Sequence, residues 1–171
     1  MTTSDWIAIS SVLVALSAMF IAIWQAYLTR KHNHLSVRPH IGLSWTNVPG
    51  EALRCELLNL GVGPAFINKV VLIVGGQEFP VKSYEDYKVA FKALGLNQHV
   101  SGVQITHFNA SSAVSTGQSY DFMTFCSANT SKQEHQAIAK LLGELEVKVE
   151  YKCIYGILYT LNSPPLLEKA S

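Results

Sequence analysis

The sequence predicts a mainly β protein in which one N-terminal transmembrane helix precedes an antiparallel β-sandwich with two short inserted helices. Three observations predict it: an uncharged apolar run near the N-terminus, short segments of alternating apolar and polar residues beyond it, and turn signals between those segments. We divide the 171 residues into a transmembrane anchor at 1–28, a juxtamembrane linker at 29–36 and a soluble β-sandwich domain at 37–171.

The anchor contains the run 6–28, which has no charged residue. At a rise of 1.5 Å per residue, about 20 apolar residues cross the roughly 30 Å hydrocarbon core of a bilayer. A cleaved signal peptide would need a basic start and a shorter apolar core of about 7–15 residues. The chain instead begins with Asp5 as its only charged side chain before the run. We therefore predict a single-pass membrane protein.

Basic residues follow the apolar run and predict its orientation. Arg30, Lys31 and Arg38 come after the run, and no lysine or arginine comes before it. Because cytoplasmic flanks carry the excess of basic residues, the C-terminal domain is expected in the cytoplasm. The same three side chains are candidates for contact with anionic lipid headgroups at the membrane surface.

One face of the predicted membrane helix carries small or polar residues at alternating spacings of three and four. This face consists of Ala8, Ser11, Ala15, Ala18, Ala22 and Gln25. Small side chains let helix backbones approach closely, and a glutamine amide can hydrogen-bond across such a contact. Self-association into a homo-oligomer is one interpretation. The alternative is that alanine and serine are simply common in membrane helices, so that the face contacts lipid only.

Eight strands and two helices are predicted beyond the linker. The strands fall at 40–46, 52–60, 66–74, 77–82, 103–108, 120–125, 145–154 and 157–161, and the helices at 84–94 and 132–142. In 145–153 the apolar and charged residues alternate strictly, which is typical of an antiparallel strand with one wet face. Gly75 and Gly76 predict a two-residue hairpin turn. Each helix begins with a capping-box pattern and is followed by a glycine as a stop signal.

The motif after the second strand predicts a structural turn. Asn59 is expected to bond to local backbone, Gly61 and Gly63 to permit positive φ, and Pro64 to open the next strand. A phosphate-binding loop is the alternative interpretation. It would need a following Lys-Ser/Thr pair and a helix, and neither is present.

The run LNLGVGPA at 58–65 resembles a Leu-x-Asn-x-Gly-x-Gly-Pro-Ala signature of uncharacterised bacterial membrane-anchored proteins. VRP at 37–39 and YKCIYGILY at 151–159 also resemble their pattern, with Cys153 in place of a polar residue. The resemblance implies one or two N-terminal helices before an immunoglobulin-like β domain, and hence the bacterial inner membrane. It implies no activity.

No catalytic, cofactor or metal motif is apparent, so no cofactor is expected and an enzyme is the poorer interpretation. The net charge of +1 argues against a nucleic-acid partner. Cys55 and Cys153 fall on apolar strand faces, and Cys126 is the one cysteine with a chance of exposure. A metal site assembled from distant residues stays open.

Two functions remain. The first is a membrane-anchored binding or scaffolding module for an unknown protein or small ligand, with Tyr84, Tyr87, Tyr155 and Tyr159 as candidate contact aromatics. The second is a membrane effector, for example in phage defence, whose soluble domain senses a signal and whose helices oligomerise to perturb the bilayer. Depolarisation of the host membrane on induced expression would distinguish the second from the first.

Overall fold

A computed structural model describes residues 2–48, 51–96, 103–109, 112–125 and 131–163. The chain divides into two compact units, Met1–Ser36 and Val37–Ser171. The first unit is a helix and the second is a mainly β domain.

Helix α1 spans Thr3–Ser36 and is long and apolar enough to cross a membrane. Its 34 residues correspond to a length of about 51 Å at 1.5 Å per residue. None of its residues is buried within the protein. The predicted apolar run 6–28 lies inside α1, and the segment 29–36, predicted as a juxtamembrane linker, forms the last two turns of the same helix.

The described strands of the second unit form two antiparallel sheets in a sandwich-like arrangement. The strands are β1 Ile41–Thr46, β2 Leu53–Asn59, β3 Ala65–Val74, β4 Gln77–Val81, β5 Gln104–Ile105, β6 Ala113–Val114, β7 Ser119–Phe125, β8 Leu145–Lys152 and β9 Leu158–Ser163. One sheet has the order β1-β2-β7-β5. The other has the order β4-β3-β8-β9, with β6 paired to the start of β3. The mainly β prediction is confirmed.

Apolar side chains from both sheets and both short helices form one core. The alternation predicted in β8 is confirmed, because Leu145, Val147, Val149 and Tyr151 are buried while the intervening charged residues are not. Burying each large apolar side chain contributes roughly 1.5–3 kcal/mol to stability, which makes this face the strand's main source of stability.

Two helices, α2 Tyr84–Ala93 and α3 Lys132–Leu142, interrupt the strands close to their predicted positions. In α2, the Asp86 carboxylate accepts hydrogen bonds from the backbone N–H groups of Lys82 and Ser83, both at 2.8 Å. In α3, the Ser131 hydroxyl accepts from the backbone N–H of Glu134 at 3.2 Å. Both capping signals in the sequence therefore correspond to real helix starts.

The described strands differ from the predicted ones in two places. The strand predicted at 103–108 is confined to Gln104–Ile105, because only these two residues pair with β7. Beyond the eight predicted strands, the structure adds the short strand Ala113–Val114. The Gly75-Gly76 hairpin is confirmed, with φ of +56° and +84°, values that favour glycine at both positions.

Candidate functional site

Asn59 is the buried centre of the predicted structural turn. Its Oδ1 accepts hydrogen bonds from the backbone N–H groups of His40 at 3.2 Å and Gly61 at 3.0 Å. Its Nδ2 donates to the carbonyls of Gly63 at 2.8 Å and Val114 at 3.0 Å. All four hydrogen-bonding positions of the amide are therefore used, as burial of a polar side chain requires. The role of Asn59 is structural.

Gly61 and Gly63 are required in this turn for a reason other than the predicted one. Neither has a positive φ, so the predicted left-handed conformation is wrong. A Cβ on Gly61 would lie 2.6 Å from the Arg38 carbonyl oxygen, and a Cβ on Gly63 would overlap the Val37 carbonyl. The glycines allow two backbone segments to approach closely, and β3 begins directly after Pro64.

The three predicted membrane-surface residues belong to different units. Arg30 and Lys31 are exposed on α1. Arg38 is in the β domain, where its guanidinium lies 5.4 Å from the centre of the Tyr159 ring in a cation–π arrangement. Arg38 is therefore held against the sandwich.

The predicted self-association face lies along one continuous helix. Its members, Ala8, Ser11, Ala15, Ala18, Ala22 and Gln25, are all exposed on α1. The Ser11 hydroxyl donates to the Ile7 carbonyl at 2.8 Å, so its hydrogen is used within the helix. Self-association stays a prediction.

The four candidate contact tyrosines have different surroundings. Tyr84 and Tyr155 are exposed, while Tyr159 is half-buried and stacks on Tyr151 with ring centres 5.6 Å apart. Tyr87 is fully buried, and burial raises the pKa of its hydroxyl. Its hydroxyl has no hydrogen-bond partner among the described residues. Tyr87 is thus a core residue.

A surface cavity of about 360 Å³ lies beside β3. Its walls come from the middle of β3, the end of β4 and the segment after β5. The lining residues are Asn68, Lys69, Val70, Pro80, Val81, Lys82, His107, Phe108 and Asn109. Volumes of about 300–1,000 Å³ are usual for small-molecule sites, so this cavity lies at the small end of that range.

A gap in strand pairing creates the cavity. One edge of β3 pairs with β6 at Ala65 and Phe66 and with β4 from Val70 onward, which leaves Asn68 and Lys69 between the two partners. On the opposite edge the register with β8 shifts between Ile67 and Lys69, so Asn68 is an extra, bulged residue. Bulges disrupt the ladder locally and are frequent beside functional sites.

The charged groups in the cavity wall are cationic. Lys69 and Lys82 are its two charged lining residues, and no acidic residue lines the wall among the residues that the structure describes. Within the described part of the chain neither ammonium has a carboxylate within 4 Å, although Glu150 lies opposite Lys69 in the β3–β8 register. The nearby Asp86 carboxylate accepts two backbone hydrogen bonds and feels the charge of Lys82, and these interactions lower its pKa.

Further donors surround the two lysines. The His107 imidazole faces the edge of the buried Tyr87 ring, with centres 6.0 Å apart, and the side chains of Asn68 and Asn109 add amide groups. Phe108 also lines the cavity, and it is buried with its ring against those of Tyr120 and Phe122. A cavity wall with two lysines, two amide side chains and an aromatic ring is suited to a small anion.

Sequence reasoning missed this cavity because its residues come from three separate segments. Lys69 and Lys82 are 13 positions apart, and His107 lies 25 positions further on. No spacing rule connects them. The one available signal was the adjacency of Asn68 and Lys69 in an otherwise apolar strand, which breaks the alternation at the position of the bulge.

The cysteines do not form a reactive cluster in the described residues. Cys55 and Cys153 are buried, as predicted, and burial raises the pKa of the Cys55 thiol. Cys126 lies outside the described residues. Within the ranges that the structure describes, no three His, Cys, Asp or Glu side chains are close enough to hold a metal ion.

No protein-family model, curated protein or solved structure matches this chain. The resemblance in the LNLGVGPA run therefore stays a prediction.

Proposed function

We propose that the chain is a single-pass membrane-anchored binding module, without enzymatic activity, that takes a small phosphate-bearing anion in the cavity beside β3. The observation that carries the proposal is the gap in β3 pairing, which is lined by Lys69 and Lys82 without a carboxylate ion-pair partner among the described residues.

The proposed ligand class follows from charge and geometry. Lys69 lies within β3 and Lys82 directly follows β4, so an anion between them would gain charge-assisted hydrogen bonds from two separate segments. Such bonds to charged groups contribute about 1.5–3 kcal/mol each. His107 and Asn68 can donate further hydrogen bonds, while Phe108 offers an apolar surface to the rest of the ligand.

The membrane part of the proposal rests on α1 and its flanks. A helix of this length and apolarity supports an anchor, and the basic residues Arg30 and Lys31 at its C-terminal side support a cytoplasmic sandwich. The resemblance of the 58–65 run supports the bacterial inner membrane and an immunoglobulin-like class for the antiparallel sandwich. These finer assignments are part of the proposal.

Calorimetric titration of the full-length protein in nanodiscs of neutral lipid tests ligand binding. Inorganic pyrophosphate and adenosine triphosphate are the probes, and uncharged adenosine is the ligand control. We expect the two phosphate compounds to bind and adenosine to bind at least tenfold more weakly. The double variant Lys69→Gln/Lys82→Gln should lose at least tenfold in affinity, because two charge-assisted bonds are removed.

A matched control removes the same kind of charge elsewhere. Lys92→Gln changes an exposed lysine of α2 that does not line the cavity, and it should leave affinity unchanged. Equal losses in the double variant and in Lys92→Gln would show that net charge, and not the cavity, attracts the anion. Absence of binding to either phosphate compound would overturn the proposed ligand class.

A further inference from the structure

Large apolar side chains are exposed at one end of the β domain. They lie in the turn between β2 and β3, in the turn between β8 and β9 and at the first residue of β9, and we call them the apolar rim. The rim consists of Leu60, Val62, Ile154, Tyr155, Ile157 and Leu158. Leu60 and Val62 are 67% and 65% exposed, which is unusual for aliphatic side chains on adjacent turns of a small domain.

Strand register places both turns at the same end of the sandwich. Phe66, near the start of β3, pairs with Lys152, the last residue of β8. The turn before β3 and the turn after β8 therefore leave the sheet together. The other end of β3 is the Gly75-Gly76 hairpin, where neither residue has an apolar side chain.

The chain also enters the β domain at the rim. The backbone N–H of Leu60 donates to the His40 carbonyl at 2.8 Å, and that of Val62 donates to the Arg38 carbonyl at 3.2 Å. The segment 37–40 is thus hydrogen-bonded to the rim, and Arg38 places a positive charge beside it.

Few residues of the chain separate the apolar run from the segment 37–40 that is bonded to the rim. The helical segment 29–36 has eight residues, about 12 Å at 1.5 Å per residue, and Val37 follows it directly. The polar headgroup layer of a bilayer is on the order of 5–8 Å thick on each side.

We propose that the apolar rim docks on the bilayer surface, with its aliphatic side chains among the headgroups and Arg38 against anionic lipid. The inference rests on the proposed membrane anchoring. Three observations favour lipid as the occupant: the rim is exposed, it is the end at which the chain arrives from the apolar helix, and it carries a basic residue. Aliphatic side chains gain free energy on leaving water, and anionic headgroups attract nearby arginine.

Depth-dependent fluorescence quenching tests this docking in the full-length protein. A cysteine introduced at Val62 or Ile157 carries an environment-sensitive fluorophore in a Cys126→Ser background, where the remaining Cys55 and Cys153 are buried, and the protein is placed in nanodiscs containing anionic lipid. A cysteine at Gln77, at the opposite end of β3, provides the matched label. We expect headgroup spin-labelled lipid to quench the Val62 and Ile157 labels at least threefold more than the Gln77 label.

Variants of the rim and of a surface residue elsewhere complete the test. Leu60→Ser should reduce quenching of the Ile157 label at least twofold, whereas Val89→Ser, an exposed apolar residue of α2, should not change it. Circular dichroism confirms that each variant is folded.

Equal quenching of the Val62 and Gln77 labels would overturn docking on the bilayer. Labels that are shielded from water but not quenched by the spin-labelled lipid would also overturn it, because a second copy or a protein partner would then cover the rim. Failure of the unlabelled protein to enter nanodiscs would instead contradict the anchor itself.

Discussion

The Asn59 Nδ2 atom donates a hydrogen bond to the Val114 carbonyl across 3.0 Å, and this contact joins the two sheets of the sandwich. Asn59 ends β2 in one sheet, and Val114 is in β6 of the other. Both residues are buried. A single amide side chain therefore connects the sheets and the turn between β2 and β3.

We expect Asn59→Ala to lower the free energy of unfolding by about 2–5 kcal/mol, because each buried group left without a partner costs about 1–3 kcal/mol. Denaturant unfolding of the full-length protein in detergent measures the change. Asn162→Ala, at an exposed position of β9, is the control and should change stability by less than about 0.5 kcal/mol. Equal effects of the two substitutions would show that the Asn59 network is not important for stability.

Gly63→Ala should destabilise the domain by about 1–3 kcal/mol, since the new methyl group would overlap the Val37 carbonyl and force the backbone apart. Gly42→Ala is the matched control. A Cβ there would contact the Leu58 side chain at an ordinary 3.8 Å, so the loss of glycine flexibility should make the variant equally or more stable. Thermal melting compares the two, and a Gly63→Ala melting temperature at or above that of Gly42→Ala would contradict the close approach.

The pKa of Asp86 is lowered by the hydrogen bonds from the backbone N–H groups of Lys82 and Ser83. A lowered folded pKa contributes stability at neutral pH that is lost as the pH falls below about 4. Asp86→Asn should therefore melt at a lower temperature than the unmodified protein at pH 7, and the difference should shrink toward pH 3. Asp121→Asn, at an exposed position of β7, is the control and should lower the melting temperature at pH 7 by less than Asp86→Asn does. A constant difference across this pH range would refute the role of the Asp86 charge.

Ala15→Leu or Ala18→Leu should weaken helix self-association, because a larger side chain separates the backbones along the small-residue face. Val14→Leu changes another face and should have no effect. Gln25→Leu should weaken association by about 0.6–2 kcal/mol if its amide bonds across the contact. Cysteine crosslinking along α1 in membranes should then peak every three to four residues on this face. A flat profile would indicate that the face contacts lipid only.

A fusion after Ser171 tests the predicted orientation. Alkaline phosphatase there should be inactive and a fluorescent protein bright, because the basic residues after the apolar run favour the cytoplasm. The same fusions at the N-terminus, before Thr2, provide the reciprocal control and should show the opposite pattern. An active phosphatase after Ser171 would reverse the orientation and remove the cytoplasmic sandwich from the proposed function.

Local patterns predicted most of the architecture. The strict alternation in β8 indicates a strand with one buried face, and Ser131 indicates the start of a helix. Both elements form in the structure as these local patterns predict. The segment 103–108 was predicted too long because an apolar run does not reveal how many residues find a partner strand. The conformation of Gly61 was also predicted wrongly. Glycine is required there because the Arg38 backbone approaches closely, and this contact between residues distant in sequence leaves no local pattern.

The cavity depends on features that no local pattern contains. The gap in β3 pairing arises because β4 and β6, which are more than 30 residues apart in the sequence, pair with different parts of the same edge of β3. The bulge at Asn68 depends on the register with β8, and register is set by packing of whole strands. Only a three-dimensional structure brings Lys82 and His107 to the same opening.

The hydrogen bonds between the segment 37–40 and the turn after β2 have a mechanical consequence. A pull on α1 reaches the sandwich at Val37, and the first bonds under load are those from Val62 to Arg38 and from Leu60 to His40. Behind them Asn59 holds the His40 N–H and the Val114 carbonyl together. Tension at the N-terminal attachment is therefore shared by both sheets at once, and β1 is protected from being peeled away alone.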